Sequence, residues 1–332
     1  MATLKDVAKL ACVDVSTASR AINNTSYVHP ATKKRIIDAV KELGYTPSLV
    51  KSILKKGKYR TLAVVVPNSN LTIFSDIIKS IKSETKEREY SIIVGETQND
   101  PDEELELLNR LRNGFIDGMI IAATGDNKTV IKDMEVSGIK VVQILRNDIK
   151  TIPSVTANFY SSGYNAVDFL YNQGCMNIGF INGPNHLKPY YERYQGYHDS
   201  IVERKMDEII NSSVNLESNL LSQGFEITKQ LLYRFSKLDS MIVSLDLLGL
   251  GAMRAAKLFN KTIPKDFKLI TLTGQSFTGF LETNITSFEI PANDIGKKAT
   301  EMVIDAIEKT KESKTPLKKV VLDTKLTIYQ TT

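Results

Sequence analysis

Ser16, Thr17, Ser19 and Arg20 place four hydrogen-bonding side chains in five consecutive positions, with only Ala18 interrupting them. Hydroxyls this short bond phosphates or base edges, and one guanidinium reaches a guanine edge or a phosphate, so the group suits a DNA major groove. The surrounding stretch "CVDVSTASRAI" carries no aromatic residue that would hold the backbone away from such a groove. Catalytic chemistry is not legible. No Ser-His-Asp or paired-carboxylate arrangement stands out, and His29, His186, His198, Cys12 and Cys175 have neither metal-ligand spacing nor a C-x-x-C pattern. No catalytic residue, metal or cofactor is expected. In "SLDLLGLGAMRA", Gly249 and Gly251 follow a strand, but Arg254 stands at the third glycine position of a dinucleotide fingerprint. These glycines are read as helix-packing residues, and a dinucleotide-dependent sugar enzyme is the weaker alternative.

The polar residues need a helix to hold them, and the flanking sequence supplies one. Thr3 caps a first helix whose Leu4, Val7, Ala8 and Ala11 share a face. After a short turn at Cys12 and Val13, Asp14 caps a second helix. There Val15, Ala18 and Ile22 form an apolar back, while Ser16, Thr17, Ser19, Arg20 and Asn23 form the front. A third helix starts with Pro30 at its first position, buries Ile36, Ile37, Val40 and Leu43, and stops at Gly44. Residues 1–60 hold twelve Lys/Arg against four Asp/Glu, a net +8, whereas the rest of the chain carries −3. A basic head on a mildly acidic body is the footprint of a nucleic-acid binder. The competing reading is an ordinary three-helix bundle with a solvated basic face.

Residues 46–60, "TPSLVKSILKKGKYR", form a short basic linker. Beyond it, continuous apolar runs such as "TLAVVVPN", "DGMIIAAT", "NIGFING" and "FKLITLTG" alternate with amphipathic helices in two successive series. That texture predicts parallel, doubly wound sheets in two similar lobes, with ligands at strand C-termini facing the cleft between them. The helix "PANDIGKKATEMVIDAIEK" and the tail "KKVVLDTKLTIYQ" are expected to cross back and complete the lobes. The chain's 332 residues suit two or three domains. No apolar run approaches the roughly 18 residues that span a bilayer, and "MATLKDVAKLA" lacks a signal-peptide core, so a cytoplasmic protein with no membrane partner is expected.

The segment "TLKDVAKLACVDVSTASRAINNTSYVHPATKKRIIDAVKELGYTPS" resembles the DNA-binding head of the lactose-repressor (LacI/GalR) family of bacterial transcription regulators. The remainder is similar to that family's periplasmic-binding-protein-like effector domain. The resemblance implies an all-α helix-turn-helix head (1–46), a hinge (47–59) and an α/β two-lobed effector-binding and dimerisation domain (60–332). The N-lobe would comprise about 60–157 plus 291–318, and the C-lobe about 158–290 plus 319–332. It further implies that Val15, Ser16 and Arg20 read bases. Thr3, Leu4, Thr17, Ser19, Asn23, Tyr27, His29, Thr32 and Tyr45 would touch or buttress phosphates, Asp14 at the DNA-facing helix start replaces the usual serine and sets a carboxylate near phosphates, and Ser48, Lys51 and Leu54 would be hinge contacts, Leu54 being the minor-groove wedge. Cys12 stands in place of the usual turn glycine, at a cost of about 1 kcal/mol in a left-handed conformation.

For the effector cleft the resemblance implies Phe74, Arg193, Asn219, Leu245, Asp246 and Thr273, with Arg146 near them. Leu245 and Thr273 replace an Asn and an Asp that hold sugars in relatives, and Asn219 replaces a stacking aromatic, which disfavours a neutral sugar. The two arginines instead favour an acidic or phosphorylated one, since guanidinium matches carboxylate and phosphate geometry, with structural ion pairing as their competing use. The expected partners are double-stranded, near-palindromic operator DNA, a sugar-derived small-molecule effector and a second copy of the chain; a protein corepressor is the alternative controller. The function implied is repression of carbohydrate-use genes, with no enzymatic activity.

Overall fold

The computed structural model describes residues 3–23, 28–43, 59–274, 283–308 and 318–332. The chain divides into two compact units, Met1–Tyr59 and Arg60–Thr332. All of the expected hinge except Tyr59 lies outside the described residues.

Among the described residues, three helices make the first unit: α1 (Leu4–Leu10), α2 (Val15–Asn23) and α3 (Pro30–Glu42). Thr3 and Asp6 close a capping box on α1. The Thr3 hydroxyl accepts from the Asp6 N–H, and the Asp6 carboxylate accepts from the Thr3 N–H at 2.7 Å. Such caps contribute about 1 kcal/mol. At the other end of α1, the Val13 N–H donates to the Ala8 carbonyl at 3.0 Å and the Cys12 N–H to the Lys9 carbonyl at 3.2 Å. This is a Schellman turn, and Cys12 takes its left-handed position with φ 52°. Val7, Ala11, Ala21, Ile36 and Ala39 form the small core. Two expectations fail here. Val15 is 41% exposed and Ile37 is 42% exposed, so neither belongs to a buried stripe. The tight approach of α2 to its neighbours is filled by the alanines Ala18 and Ala21, and in α3 by Ile36 and Ala39, which turns Val15 and Ile37 outward.

Among the described residues, the second unit holds two six-stranded sheets. The first is built from β1 (Thr61–Val66), β2 (Ser91–Glu96), β3 (Gly118–Ile121), β4 (Lys140–Ile144), β5 (Ser154–Ala157) and β11 (Lys319–Leu322), in the order β11-β5-β4-β3-β1-β2. The second is built from β6 (Ile178–Ile181), β7 (Ile209–Asn211), β8 (Ser240–Val243), β9 (Lys268–Thr271), β10 (Thr286–Glu289) and β12 (Lys325–Thr327), in the order β12-β10-β9-β8-β6-β7. All pairings are parallel except β10 with β12. Leu62, Val64 and Val66 of β1 enter one apolar cluster and Ala63 and Val65 another, because helices cover both faces.

The covering helices are α4 (Thr72–Glu87), α5 (Pro101–Arg112) and α6 (Lys128–Val136) in the N-lobe, and α7 (Phe159–Asn172), α8 (Lys188–Glu203), α9 (Leu220–Arg234) and α10 (Asp246–Leu258) in the C-lobe. The last helix, α11 (Ala292–Glu308), returns to the N-lobe and packs on α4, β3, β4 and β5. The chain therefore crosses between lobes after β5, after β10 and after β11. The expected crossing at residue 319 is too early. Lys319–Leu322 pairs in register with Ser154–Ala157 and completes the N-lobe edge, so the tail passes to the C-lobe only at Asp323. There the Asn158 side chain donates to Asp323 at 3.2 Å, tying two crossings together. Gly251 packs α10 on α9: a Cβ there would lie 2.1 Å from the Leu221 carbonyl oxygen. Among the described residues no helix is long and apolar enough to cross a membrane.

Candidate functional site

The outer face of α2 presents Val15, Ser16 and Arg20 to solvent, with Asp14 exposed before it and Thr17 and Ser19 half-buried. The burial of Ala18 and Ala21 fixes this orientation, because residues three apart share the inner face. Thr3 is exposed but its hydroxyl is engaged with Asp6 at 2.7 Å. Leu4 and Thr32 are half-buried and His29 is exposed at the start of α3. Tyr27, Tyr45, Ser48, Lys51, Leu54 and the side chain of Asn23 lie outside the described residues.

The second unit contains a cleft of about 480 Å³ between its lobes. Among the described residues, those lining it follow the C-terminal ends of strands: Phe74 after β1, Asn99 after β2, Arg146 after β4, Phe159 after β5, Tyr190 and Arg193 after β6, Leu245 after β8 and Thr273 after β9. Parallel sheets direct their strand C-termini at such crevices. Leu71, Ile73, Leu145, Pro189, Leu216 and Ile290 complete walls that are mostly apolar.

Arg193, only 2% exposed, stands in the floor. Its Nη1 donates to the Ser244 carbonyl at 3.2 Å and its Nη2 to the Leu272 carbonyl at 2.6 Å. The guanidinium lies 5.1 Å from the Phe159 ring centroid and 5.8 Å from that of Tyr190. Close packing puts it there, since a Cβ on Gly196 would fall 2.0 Å from the Tyr160 carbonyl oxygen, holding α8 against α7. Burial lowers its pKa to about 10, so it remains a cation at neutral pH. Beneath it, Asp246 accepts a hydrogen bond from the Thr271 hydroxyl. Burial pushes this carboxyl up to about 6, against the opposing pull of the Thr271 hydroxyl and Arg193. Arg193 Nε and Ser244 Oγ are buried polar atoms without a hydrogen-bond partner among the described residues. Each such group costs about 1–3 kcal/mol until water or a ligand meets it.

Arg146, 5% exposed, occupies the N-lobe wall. Its Nη1 donates to the Ala123 carbonyl at 2.8 Å and its Nη2 to Asn99 Oδ1 at 2.6 Å. The loop carrying Ala123 is anchored by buried Glu104, which accepts from the Thr124 N–H and hydroxyl, both at 2.7 Å, and from Asn127. Asn99 Nδ2 in turn donates to Glu217 of the C-lobe at 3.1 Å. A second bridge across the mouth joins Lys188 Nζ to Asn147 Oδ1.

Phe74, Arg146, Arg193, Leu245 and Thr273 thus share one cleft, but two expected members do not line it. Asn219 is the N-cap of α9, where its Oδ1 accepts from the Ser222 N–H at 2.9 Å. A residue spent on a helix end is not at the cavity wall, and Leu216 lines the cleft from the same segment instead. Asp246 is 1% exposed beneath the floor, where its carboxylate accepts from the Thr271 hydroxyl. Asn99, Phe159, Tyr190 and Ile290 were missed by sequence reasoning. Their position just after strand ends was the available signal.

Residues 59–322 match the family described as periplasmic binding proteins and sugar binding domain of LacI family, and residues 3–48 match bacterial regulatory proteins, lacI family. The chain is 28% identical over 328 residues to the ribose operon repressor of Halalkalibacterium halodurans, covering 98% of this chain and 97% of that one. It is 26% identical to the catabolite control protein A of Priestia megaterium, with 92% and 93% covered. The fold is similar to that of the lac repressor dimer bound to operator and the anti-inducer ONPF, with a TM-score of 0.85, 20% identity and 99% and 98% coverage. It also resembles a complex of the transcriptional regulator CelR with cellobiose, with a TM-score of 0.72, 23% identity and complete coverage of both chains. A helix-turn-helix head with an outward polar helix, followed by two parallel-sheet lobes around a cleft, accords with these matches: the chain belongs to the LacI family of bacterial regulatory proteins and is a DNA-binding transcriptional regulator.

Proposed function

We propose that this regulator acts in the cytoplasm as a homodimeric repressor of carbohydrate-use genes, with α2 of each copy in a major groove of a near-palindromic operator. Val15, Ser16 and Arg20 read bases, while the side chains around Thr3, Thr17, Ser19, His29 and Thr32 meet phosphates. One short helix reads few base pairs, and two-fold symmetry doubles the site. A small anionic ligand in the interlobe cleft, an acidic or phosphorylated sugar, controls the DNA affinity. The observation that carries this reading is the pair of buried arginines, Arg146 and Arg193, lining one cleft whose other walls are largely apolar. Such walls exclude water and strengthen the attraction of an oxyanion. They also offer few partners to a ring of neutral hydroxyls.

The DNA half is tested by selecting a duplex from a random pool with the wild-type chain and measuring fluorescence anisotropy. Affinity should fall by about 10³-fold or more between 50 and 200 mM salt. The Ser16→Ala/Arg20→Ala variant should bind the selected duplex no better than random DNA, with an unchanged circular dichroism spectrum. Salt-independent binding, or selective binding by the double variant, would remove α2 from the groove. On the ligand side, a cleft that answers to no sugar acid or phosphate would transfer control to a protein corepressor.

A further inference from the structure

The outer face of α7 and α8 in the C-lobe carries a ladder of tyrosines and acids that serves neither the head nor the cleft. Tyr160, Tyr164, Asp168 and Tyr171 recur at helical spacing along α7, as Tyr191, Gln195, Asp199 and Glu203 do along α8. Glycines bring the two helices close: a Cβ on Gly163 would lie 2.2 Å from the Arg193 carbonyl oxygen. The stripes therefore run side by side and are joined by rungs. The Tyr160 hydroxyl donates to Asp199 at 2.9 Å, the Tyr164 hydroxyl to Glu203, and Arg204 to Asp168. The Tyr160 and Tyr164 rings stack with centroids 6.3 Å apart. Arg204 lies 5.5 Å from the Tyr164 centroid and 5.4 Å from that of Tyr171, and it donates to the Ser200 carbonyl at 3.0 Å.

This ladder sorts its charges by depth. The Arg204 side chain is 13% exposed beneath the rings, whereas that of Glu203 is 62% exposed. Asp199 is also exposed, and its partner is the Tyr160 hydroxyl, with no cation in ion-pair range among the described residues. The face offered to solvent is thus anionic and aromatic, with Tyr160, Tyr171 and Tyr191 all exposed on it. Tyr160, held by its hydroxyl, is ordered before any partner arrives, which lowers the entropic cost of contact. Tyrosine faces beside carboxylates suit a guanidinium, which stacks on the ring and gives two N–H groups to the acid. The same charge repels phosphate, so nucleic acid is a poor occupant. It also opposes a two-fold pairing of this face with itself, where like charges would meet.

We propose that the α7–α8 face docks a second protein through an arginine-bearing, basic segment. Tyrosine and arginine are the residues that dominate the centres of protein interfaces, and here the chain supplies the tyrosines and the acids that an arginine answers. The proposal is independent of what the cleft binds.

The test selects a random peptide library, displayed on phage, against the full-length chain after depletion on the Tyr160→Ala/Asp199→Lys variant. Enriched peptides should carry net positive charge with arginine, and their affinity should fall between about 50 and 200 mM salt, as exposed charge pairs do. Titration of a selected peptide should show a loss of at least about tenfold in the double variant, the size of a hot-spot truncation. Tyr160→Phe keeps the ring and the carboxylate and should bind nearly as wild type does. Asp199→Asn keeps an acceptor for Tyr160 but removes the charge, and should lose affinity without disturbing the fold. An unchanged circular dichroism spectrum and unchanged affinity for the selected duplex establish that a variant is folded. No enrichment, an acidic or uncharged consensus, or wild-type affinity in Asp199→Asn would overturn the proposal. In the host bacterium, a photocrosslinking amino acid at exposed Val202 should attach to a basic segment of another protein, and Asp199→Asn should diminish that product. A crosslink to the basic head of a second copy of this chain, or none, would also overturn it.

Discussion

The front of α2 and the floor of the interlobe cleft use the same chemistry, hydroxyls beside a guanidinium, in opposite surroundings. Ser16 and Arg20 are exposed, and the alanines behind them leave room for nothing else. Arg193 is 2% exposed, donates to two carbonyls from separate loops and lies within cation–π distance of two aromatic rings. The difference teaches where each residue's free energy resides. A surface arginine costs the fold nothing and contributes only when phosphate or base arrives. A buried arginine is part of the fold before any ligand binds, so it positions the site as well as contacting the ligand.

The contrast breaks most visibly at Arg193. Arg193→Met should destabilise the protein by about 2–4 kcal/mol, because the buried Ser244 and Leu272 carbonyls each lose their donor. Arg20→Met should move stability by no more than about 0.5 kcal/mol, the usual range for surface changes. Urea denaturation of both variants decides the matter, and equal losses would erase the distinction. The smallest expected effect sharpens the head's side of the comparison. Cys12 holds a left-handed conformation at φ 52° in the turn before α2. Cys12→Gly should stabilise the head by less than about 1 kcal/mol, the strain relieved being partly offset by a freer unfolded chain. A loss of stability would mean that the cysteine side chain makes a contact worth more than that strain.

The head was legible because its signals are local. The Thr3 cap, the Asp14 start, the polar front of α2 and Pro30 at the start of α3 are each decided within a turn or two of helix. Failures there were of side-chain packing: periodicity assigns Val15 and Ile37 to a buried stripe, but the short alanines bring the helices too close to bury them. In the larger unit, strand runs gave the two lobes, while the crossing at Asp323 depended on an edge pairing 165 residues distant. The cleft was half legible. Phe74, Arg146 and Arg193 are there, but Asn219 had gone to a helix cap, and Asn99 acquires its meaning only from Arg146 and Glu217, neither near it in sequence.

The central claim is that an anion in the cleft changes what α2 does on DNA. The most direct measurement is anisotropy of the selected duplex with the full-length chain, titrated with pentose and hexose monophosphates and, in parallel, their parent sugars. At least one monophosphate should shift duplex affinity about fivefold or more, with the parent sugar inert and the response lost in Arg146→Gln. A neutral sugar that alone shifts affinity, or a phosphate response that survives in Arg146→Gln, would contradict the account.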